Sequence, residues 1–376
     1  MSGHSDDVEV GLHLRPGPVG LPLPGMQSPW GPALYGAAAL LATPGTAPLP
    51  GPRVLFIGGT GIISAAAVAQ AAALGYTVTV LNRAAGSVRP VPAGVETLVA
   101  DIRDSAAVAA VLGTRTFDVV ADFVTFLPEQ ARAAVELFRG RCGQYLFISS
   151  ASAYQKPPAR LPITESTPLR NPFWQYSRDK IACEDVFMAA YRDAGFPVTV
   201  VRPSSTYDHT RLPLLFGWTD VHRMRAGLPV VVHGDGTSLW TLTHTADFAV
   251  GFVGLFGLAV AGEAFTITSD DVLPWDAVYR CVAAAAGVPE PVLIHVASET
   301  IAAHAPDLGP GLLGDKAHSV IFDTTRIKAL VPGFGTRIRF AVGARAIMAW
   351  HIEHAEARVV NPEHMALSDR LAALSG

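Results

Sequence analysis

Tyr176 and Lys180 stand four residues apart in Tyr176-Ser177-Arg178-Asp179-Lys180, a spacing that puts a phenol and an ammonium on one face of a helix. Such a pair can exchange a proton with a substrate hydroxyl. The phenol, whose ordinary pKa is near 10, must titrate lower to do so near neutrality, and a neighbouring cation favours the phenolate. With only four lysines in the chain (Lys156, Lys180, Lys316, Lys328), about 0.09 pairs of this spacing arise by chance. The alternative is a surface helix with an incidental tyrosine and lysine. Ser150 supplies a third group. It follows the apolar run that ends at Ile148, so its hydroxyl falls at the carboxyl edge of a sheet, where it can orient a substrate oxygen while Tyr176 exchanges the proton.

A second constellation lies upstream. Gly58-Gly59-Thr60-Gly61-Ile62-Ile63-Ser64 sits between the apolar run Val54 to Ile57 and the alanine-rich stretch Ala65 to Leu74. Glycines there let the backbone approach a pyrophosphate, and the following helix N-terminus favours its charge. A plain strand-to-helix turn is the alternative. The candidate coenzyme contacts are Gly58, Thr60, Gly61, Ile62 and Ile63, joined by Tyr176 and Lys180. The group that reads the adenosine ribose belongs at the end of the next strand, where the sequence is Leu81-Asn82-Arg83. An arginine with no acid beside it favours NADP over NAD. Asp101 and Ile102, just past the third strand, are placed at the adenine edge, with a cap for the helix starting at Ser105 as the alternative for Asp101. Phe123, closing the fourth strand, is a further candidate coenzyme contact.

These residues need a frame to hold them. Strands are expected at 54–57, 76–81, 96–100, 118–123, 144–148 and 197–201, alternating with helices at 65–74, 105–112, 131–139 and 177–194. That alternation predicts an α/β fold, a Rossmann-type doubly wound parallel sheet. Short strands at 229–232, 239–243 and 264–268, with helices at 247–258 and 275–286, read as a smaller mixed C-terminal substrate lobe. The expected division is a Pro/Gly-rich arm over 1–52, a coenzyme domain over 53–202 and a substrate lobe over 203–376, with some segments of the last returning to the Rossmann core.

Composition narrows the partners. Half of the 376 residues are hydrophobic and the formal net charge is -4, which gives no basic footprint for nucleic acid or an anionic membrane surface. Cys142, Cys183 and Cys281 are scattered singly, which suggests neither a disulfide framework nor a zinc site and fits a reducing cytoplasm. The apolar stretch 33–42 is short and lacks a basic flank, and no apolar run reaches the roughly 20 residues of a spanning helix. His209, His233 and His244 lack ligand spacing, so no metal is expected.

Gly58 to Ile63, Asp101-Ile102-Arg103-Asp104, Phe147 to Tyr154, Tyr176 to Lys180 and Arg202-Pro203 together resemble the extended short-chain dehydrogenases/reductases. This is the NAD-dependent epimerase/dehydratase family, typified by UDP-galactose epimerase, and the likeness runs from Arg53 to roughly Trp350. The resemblance implies that Tyr176 is the base, that Lys180 holds the nicotinamide ribose, that Ser150 contacts substrate and that the protein forms a homodimer. Three departures bear on the substrate. The Asp-Glu pair of the family's dehydratases is Ala151-Ser152 here, which disfavours dehydration. The arginine that grips a substrate diphosphate is Trp240, and the asparagine after the last Rossmann strand is Ser205, in Ser204-Ser205-Thr206. Losing that cation argues against a nucleoside-diphosphate sugar. Trp240 instead offers a face for stacking on a sugar ring or base, or is a core residue of the small lobe.

Ser150, Ser152, Ser204, Ser205 and Trp240 are therefore the candidate substrate contacts. The expected activity is epimerisation or net oxidoreduction at a secondary hydroxyl of a small sugar-like or nucleoside-like molecule, through a transient ketone. A member of another class, a non-catalytic Rossmann binder similar to chloroplast stem-loop RNA-binding proteins, is the alternative.

Overall fold

The computed structural model describes residues 51–83 and 89–374, so the arm expected over residues 1–52 lies outside them apart from Gly51 and Pro52. In β1 (Arg53–Ile57) the residues Val54, Leu55, Phe56 and Ile57 are all at most 1% exposed, as a strand covered on both faces requires. Around it are α1 (Ile62–Ala73), β2 (Thr77–Asn82), β3 (Glu96–Val99), α2 (Ser105–Leu112), β4 (Phe117–Asp122), α3 (Pro128–Phe138), β5 (Cys142–Ile148), α4 (Gln175–Ala194) and β6 (Val198–Pro203). The strands lie in the order β3-β2-β1-β4-β5-β6, all parallel, and the order reverses between β1 and β4. Ligands bind at the carboxyl ends of the strands beside such a reversal.

Local chemistry sets the helix ends. Asp104 caps α2 by accepting from the Ala107 N–H, Gln130 reaches back to the N–H groups of Phe126 and Leu127 before α3, and Gly195 ends α4 in the left-handed region.

The remaining strands are β7 (Ser205–Tyr207), β8 (Val230–His233), β9 (Leu239–His244), β10 (Ala264–Ile267), β11 (Val272–Pro274) and β12 (Leu293–Val296), with helices α5 (Trp218–Arg225), α6 (Thr245–Val253) and α7 (Trp275–Ala285) among them. The sequence reads 264–268 within the C-terminal part, and the structure pairs β10 in parallel with β6 as the seventh strand of the main sheet. Helix α6 likewise packs on α1, so Phe248 and Phe252 share a core with Phe56 and Val80. On the other face Leu55, Val120 and Phe147 pack with Phe138 and Phe187. The smaller lobe has its own core of Trp218, Trp240, Trp275, Tyr279, Phe340 and Ile347. Its sheets β7-β9-β11 and β8-β12 contain three strands that the periodicity does not reveal, because runs of three or four residues are too short to show it.

One ion pair crosses this architecture beneath the carboxyl edge. Glu184 of α4 takes both arms of Arg202 of β6 at 2.9 and 2.5 Å, and accepts from Ser149 at 2.5 Å. Arg202 also donates to the Tyr154 hydroxyl, which bonds Thr266 of β10 at 2.6 Å. Both charges are buried, so removing one leaves the other uncompensated. Glu184→Met should therefore lower the unfolding free energy by about 3 to 5 kcal/mol, and adding Arg202→Met should restore part of it. Urea denaturation of the two variants checks both; additive losses would mean the charges are not coupled.

Candidate active site

The glycine loop is built for close approach. Gly58 has φ +81°, and a Cβ there would stand 2.4 Å from Val124, while one at Gly59 would stand 2.6 Å from Val80. Ser64, in place of a glycine, is fully buried and braces the turn: its hydroxyl accepts from the Gly61 N–H at 2.9 Å and donates to the Gly58 carbonyl at 2.5 Å. Ile62 and Ile63 begin α1, where backbone N–H groups lack intrahelical partners and suit an anion. This cradle, with Thr60 at its tip, fits a dinucleotide pyrophosphate.

Other expected coenzyme contacts are partly redistributed. Asn82 turns its side-chain oxygen to the Gly59 N–H at 3.0 Å, so it holds the loop rather than standing free at the ribose position. Arg83 is exposed and makes no hydrogen bond to a described residue. Asp101 is half-exposed and lies in the fork of Arg103, whose hydrogen bonds hold its pKa down to about 2; α2 is capped by Asp104, not Asp101. Ile102 packs half-buried against the α2–α3 side of the core. Phe123 packs against Phe56 and Phe252, with ring centroids 6.1 and 5.2 Å away, and also lines the cleft.

The catalytic constellation comes together. The Ser177 hydroxyl donates to Ser152, Ser152 and Ser150 share a hydrogen bond, each at 2.8 Å, and Ser150 is near enough to the Tyr176 phenol to favour its ionised form. Lys180 is 1% exposed, and its ammonium donates to the carbonyls of Thr125 at 2.6 Å and Ile148 at 2.8 Å, beneath the ring of Phe126. Burial pushes its pKa down to about 8. The sequence predicts a phenol with lowered pKa. In the structure burial raises Tyr176, with Ser150 opposing, because Lys180 spends two of its donors on carbonyls and stands 6.0 Å from the phenol ring centroid.

Thr125 is itself placed by Asp122, missed in the sequence. This buried carboxylate ends β4 and accepts from the N–H groups of Val124 and Thr125, the Thr125 hydroxyl and the Tyr145 hydroxyl. An aspartate inside an apolar strand is the signal that could have found it.

Tyr176, Ser150, Ser152 and Lys180 line a cleft of about 300 Å³ that continues into a second space of about 240 Å³. Ser205, Trp174, Arg211 and Lys316 line both. Ser204 spends its hydroxyl on the Thr241 carbonyl at 3.1 Å. Trp240 is only 2% exposed and packed on Trp275 at 5.2 Å, which makes it wall rather than an open stacking face. His233 is buried against the Lys316 carbonyl, His244 caps α6, and His209 lies beside Trp350. Arg211 and Lys316 escaped the sequence reading because they sit in irregular segments that no motif marks.

Comparison with known proteins accords with this geometry. Residues 54–268, more than half of the chain, match the model of the NAD dependent epimerase/dehydratase family. The chain belongs to that family. It is similar to the chloroplast stem-loop binding protein of 41 kDa b from Arabidopsis thaliana, 28% identical over 52% of this chain and 50% of that one. The 2'-dehydrokanamycin reductase of Streptomyces kanamyceticus is 29% identical over 63% of this chain and 67% of that protein. In fold it is similar to a dTDP-glucose 4,6-dehydratase from Bacillus anthracis solved in complex with NAD: TM-score 0.67, 17% identity, 81% of this chain and 98% of that one. The match thus spans half the length of the chloroplast protein. For this member of an NAD-dependent family, the Gly58 loop and the Lys180 ammonium are the residues that would hold the dinucleotide.

Two expectations follow. Gly58→Val forces a branched side chain into the left-handed region and onto Val124, so dinucleotide affinity measured by calorimetry should fall at least about tenfold, the equivalent of 1.4 kcal/mol. Lys180 is charged when unfolded up to its ordinary 10.5 but loses its proton near 8 when folded. The unfolded state binds more protons between these values, so stability rises with pH there. Denaturation of wild type and Lys180→Met should show the wild type gaining on the variant from about pH 8 to about 10.5; a constant difference would refute the shift.

Proposed function

We propose that the protein carries out NAD(P)-dependent redox chemistry at a secondary hydroxyl of a sugar-like or nucleoside-like ring, inverting its stereochemistry through a transient ketone. The observation that carries this reading is the hydroxyl chain from Ser177 through Ser152 to Ser150, which lines one cleft with Tyr176 and a buried lysine. Ser150 positions the substrate oxygen, and Tyr176 exchanges its proton. With its pKa raised, Tyr176 rests protonated at neutral pH, poised to donate to a ketone oxygen; a nearby positive charge would let it accept instead. The nicotinamide, when bound, supplies the hydride acceptor and, in its oxidised form, that positive charge. Lys180 keeps one N–H beyond its two carbonyl partners and would give it to the nicotinamide ribose.

Net reduction uses the same residues and is favoured by the similarity to a reductase; it differs in consuming coenzyme. Arg83, exposed after β2 and making no hydrogen bond to a described residue, supports NADP as the preferred coenzyme. Dehydration is disfavoured by Ala151 and Ser152, since Ser152 is spent within the hydroxyl chain.

Tyr176→Phe removes one oxygen and should cut hydride transfer at least about 100-fold while coenzyme binding persists. Reduced-nicotinamide absorbance is followed with phenyl β-glucoside, uridine and UDP-glucose as probe alcohols, and with their keto forms in the reverse direction. Equal rates in wild type and variant would exclude Tyr176 as the proton-exchanging group.

A further inference from the structure

An aromatic side chain stands where helices ordinarily carry a short polar one. Trp174 occupies the N-cap position of α4, and its side chain makes no capping hydrogen bond. Serine, threonine, aspartate and asparagine are favoured there because their oxygens satisfy a backbone N–H that otherwise lacks a partner. The helix that carries Tyr176 and Lys180 thus forgoes a stabilising contact at its start and presents an indole instead. That indole is firmly seated. Asn171, 2% exposed, accepts from the N–H groups of Phe173 at 3.2 Å and Trp174 at 3.1 Å, and donates to the carbonyls of Ser152 at 2.9 Å and Gly314 at 2.7 Å. A Cβ at Gly314 would stand 2.8 Å from that of Trp174, so glycine is what leaves room for the side chain. The indole lies 4.9 Å from the Tyr176 ring, and the Lys316 ammonium lies 5.8 Å from its centroid. Trp174 is only half-buried, lines both spaces, and has an Nε1–H that donates to no described residue. Trp240 and Trp275, by contrast, are buried and packed on each other.

We propose that Trp174 is a specificity-determining residue, a platform on which the substrate stacks, and that the substrate is a glycoside whose second, apolar ring enters the space walled by Leu215, Leu308 and Trp275. This deepens the proposed function and rests on its placement of the reacting ring beside Tyr176. The stacking face sought at Trp240 is supplied from α4 instead, next to the reacting group. An indole offers a flat apolar surface to an aromatic ring or to the C–H face of a sugar, and its N–H remains to donate to an oxygen of the glycoside. Fixing the plane of the reacting ring against Trp174 also fixes which of its hydroxyls meets Ser150 and Tyr176.

The test titrates the full chain, with and without coenzyme, by calorimetry against phenyl β-glucoside and methyl β-glucoside, which share the sugar and differ in the second ring. The phenyl glycoside should bind at least about tenfold more tightly. Trp174→Ser removes the indole and supplies a favoured N-cap, so the preference should vanish while urea denaturation shows α4 and the fold intact. Trp174→Phe keeps a smaller ring on the same seat and should retain part of the preference; if the serine variant does not fold, this partial loss decides. Equal affinities for the two glycosides, no binding of either, or a preference unchanged by the substitutions overturns the platform. Because the readout is binding rather than turnover, a failed platform leaves the Tyr176 chemistry standing, and Tyr176→Phe should keep the preference even where it abolishes hydride transfer.

Discussion

The site depends on holding one ammonium inside the protein without a carboxylate bonded to it. Lys180 is satisfied by the carbonyl of Ile148, which ends β5, and by that of Thr125, in the turn just past the end of the adjacent parallel strand β4. Strand ends in a parallel sheet present carbonyls on one edge, and a helix returning across that edge brings a long cationic side chain to meet them. The geometry of Tyr176 follows, because it lies one helical turn before Lys180 on the same face. Ser150 follows as well, since it continues the strand whose carbonyl Lys180 holds.

That constraint explains the supports around it. Asp122 fixes the turn that carries Thr125 and Val124, and Val124 in turn leaves room only for glycine at position 58. The glycine loop and Lys180 are thus both braced by one buried carboxylate at the end of β4. Below them, the Glu184–Arg202 pair ties α4 to β6 and, through Tyr154, to β10. The helix that carries Tyr176 and Lys180 is therefore anchored to the sheet by charge as well as by apolar packing.

Much of this was legible in the sequence because it is local. Strand, glycine turn and helix follow each other within 53–74, and Tyr176 and Lys180 share one helix, so spacing alone relates them. The residues that were missed or reassigned depend on contacts across long separations. Asn82 meets Gly59 across 23 positions, and Lys180 meets Thr125 across 55. No spacing rule reveals that Arg89 would take Asp208, 119 positions away. Trp240 shows the same limit: its alternatives, stacking face or core, were separated only by its neighbour Trp275. The direction of the Tyr176 shift also depended on burial, which a helical spacing does not encode.

The central claim is that the Gly58 cradle and Lys180 hold a redox-active dinucleotide. Mass spectrometry of whatever small molecule the purified full chain releases on denaturation, with titrations of NAD and NADP into the emptied protein, tests it most directly. The account predicts a nicotinamide dinucleotide, retained or bound at micromolar concentration, with NADP the tighter of the two. A protein that releases none and binds neither would contradict it.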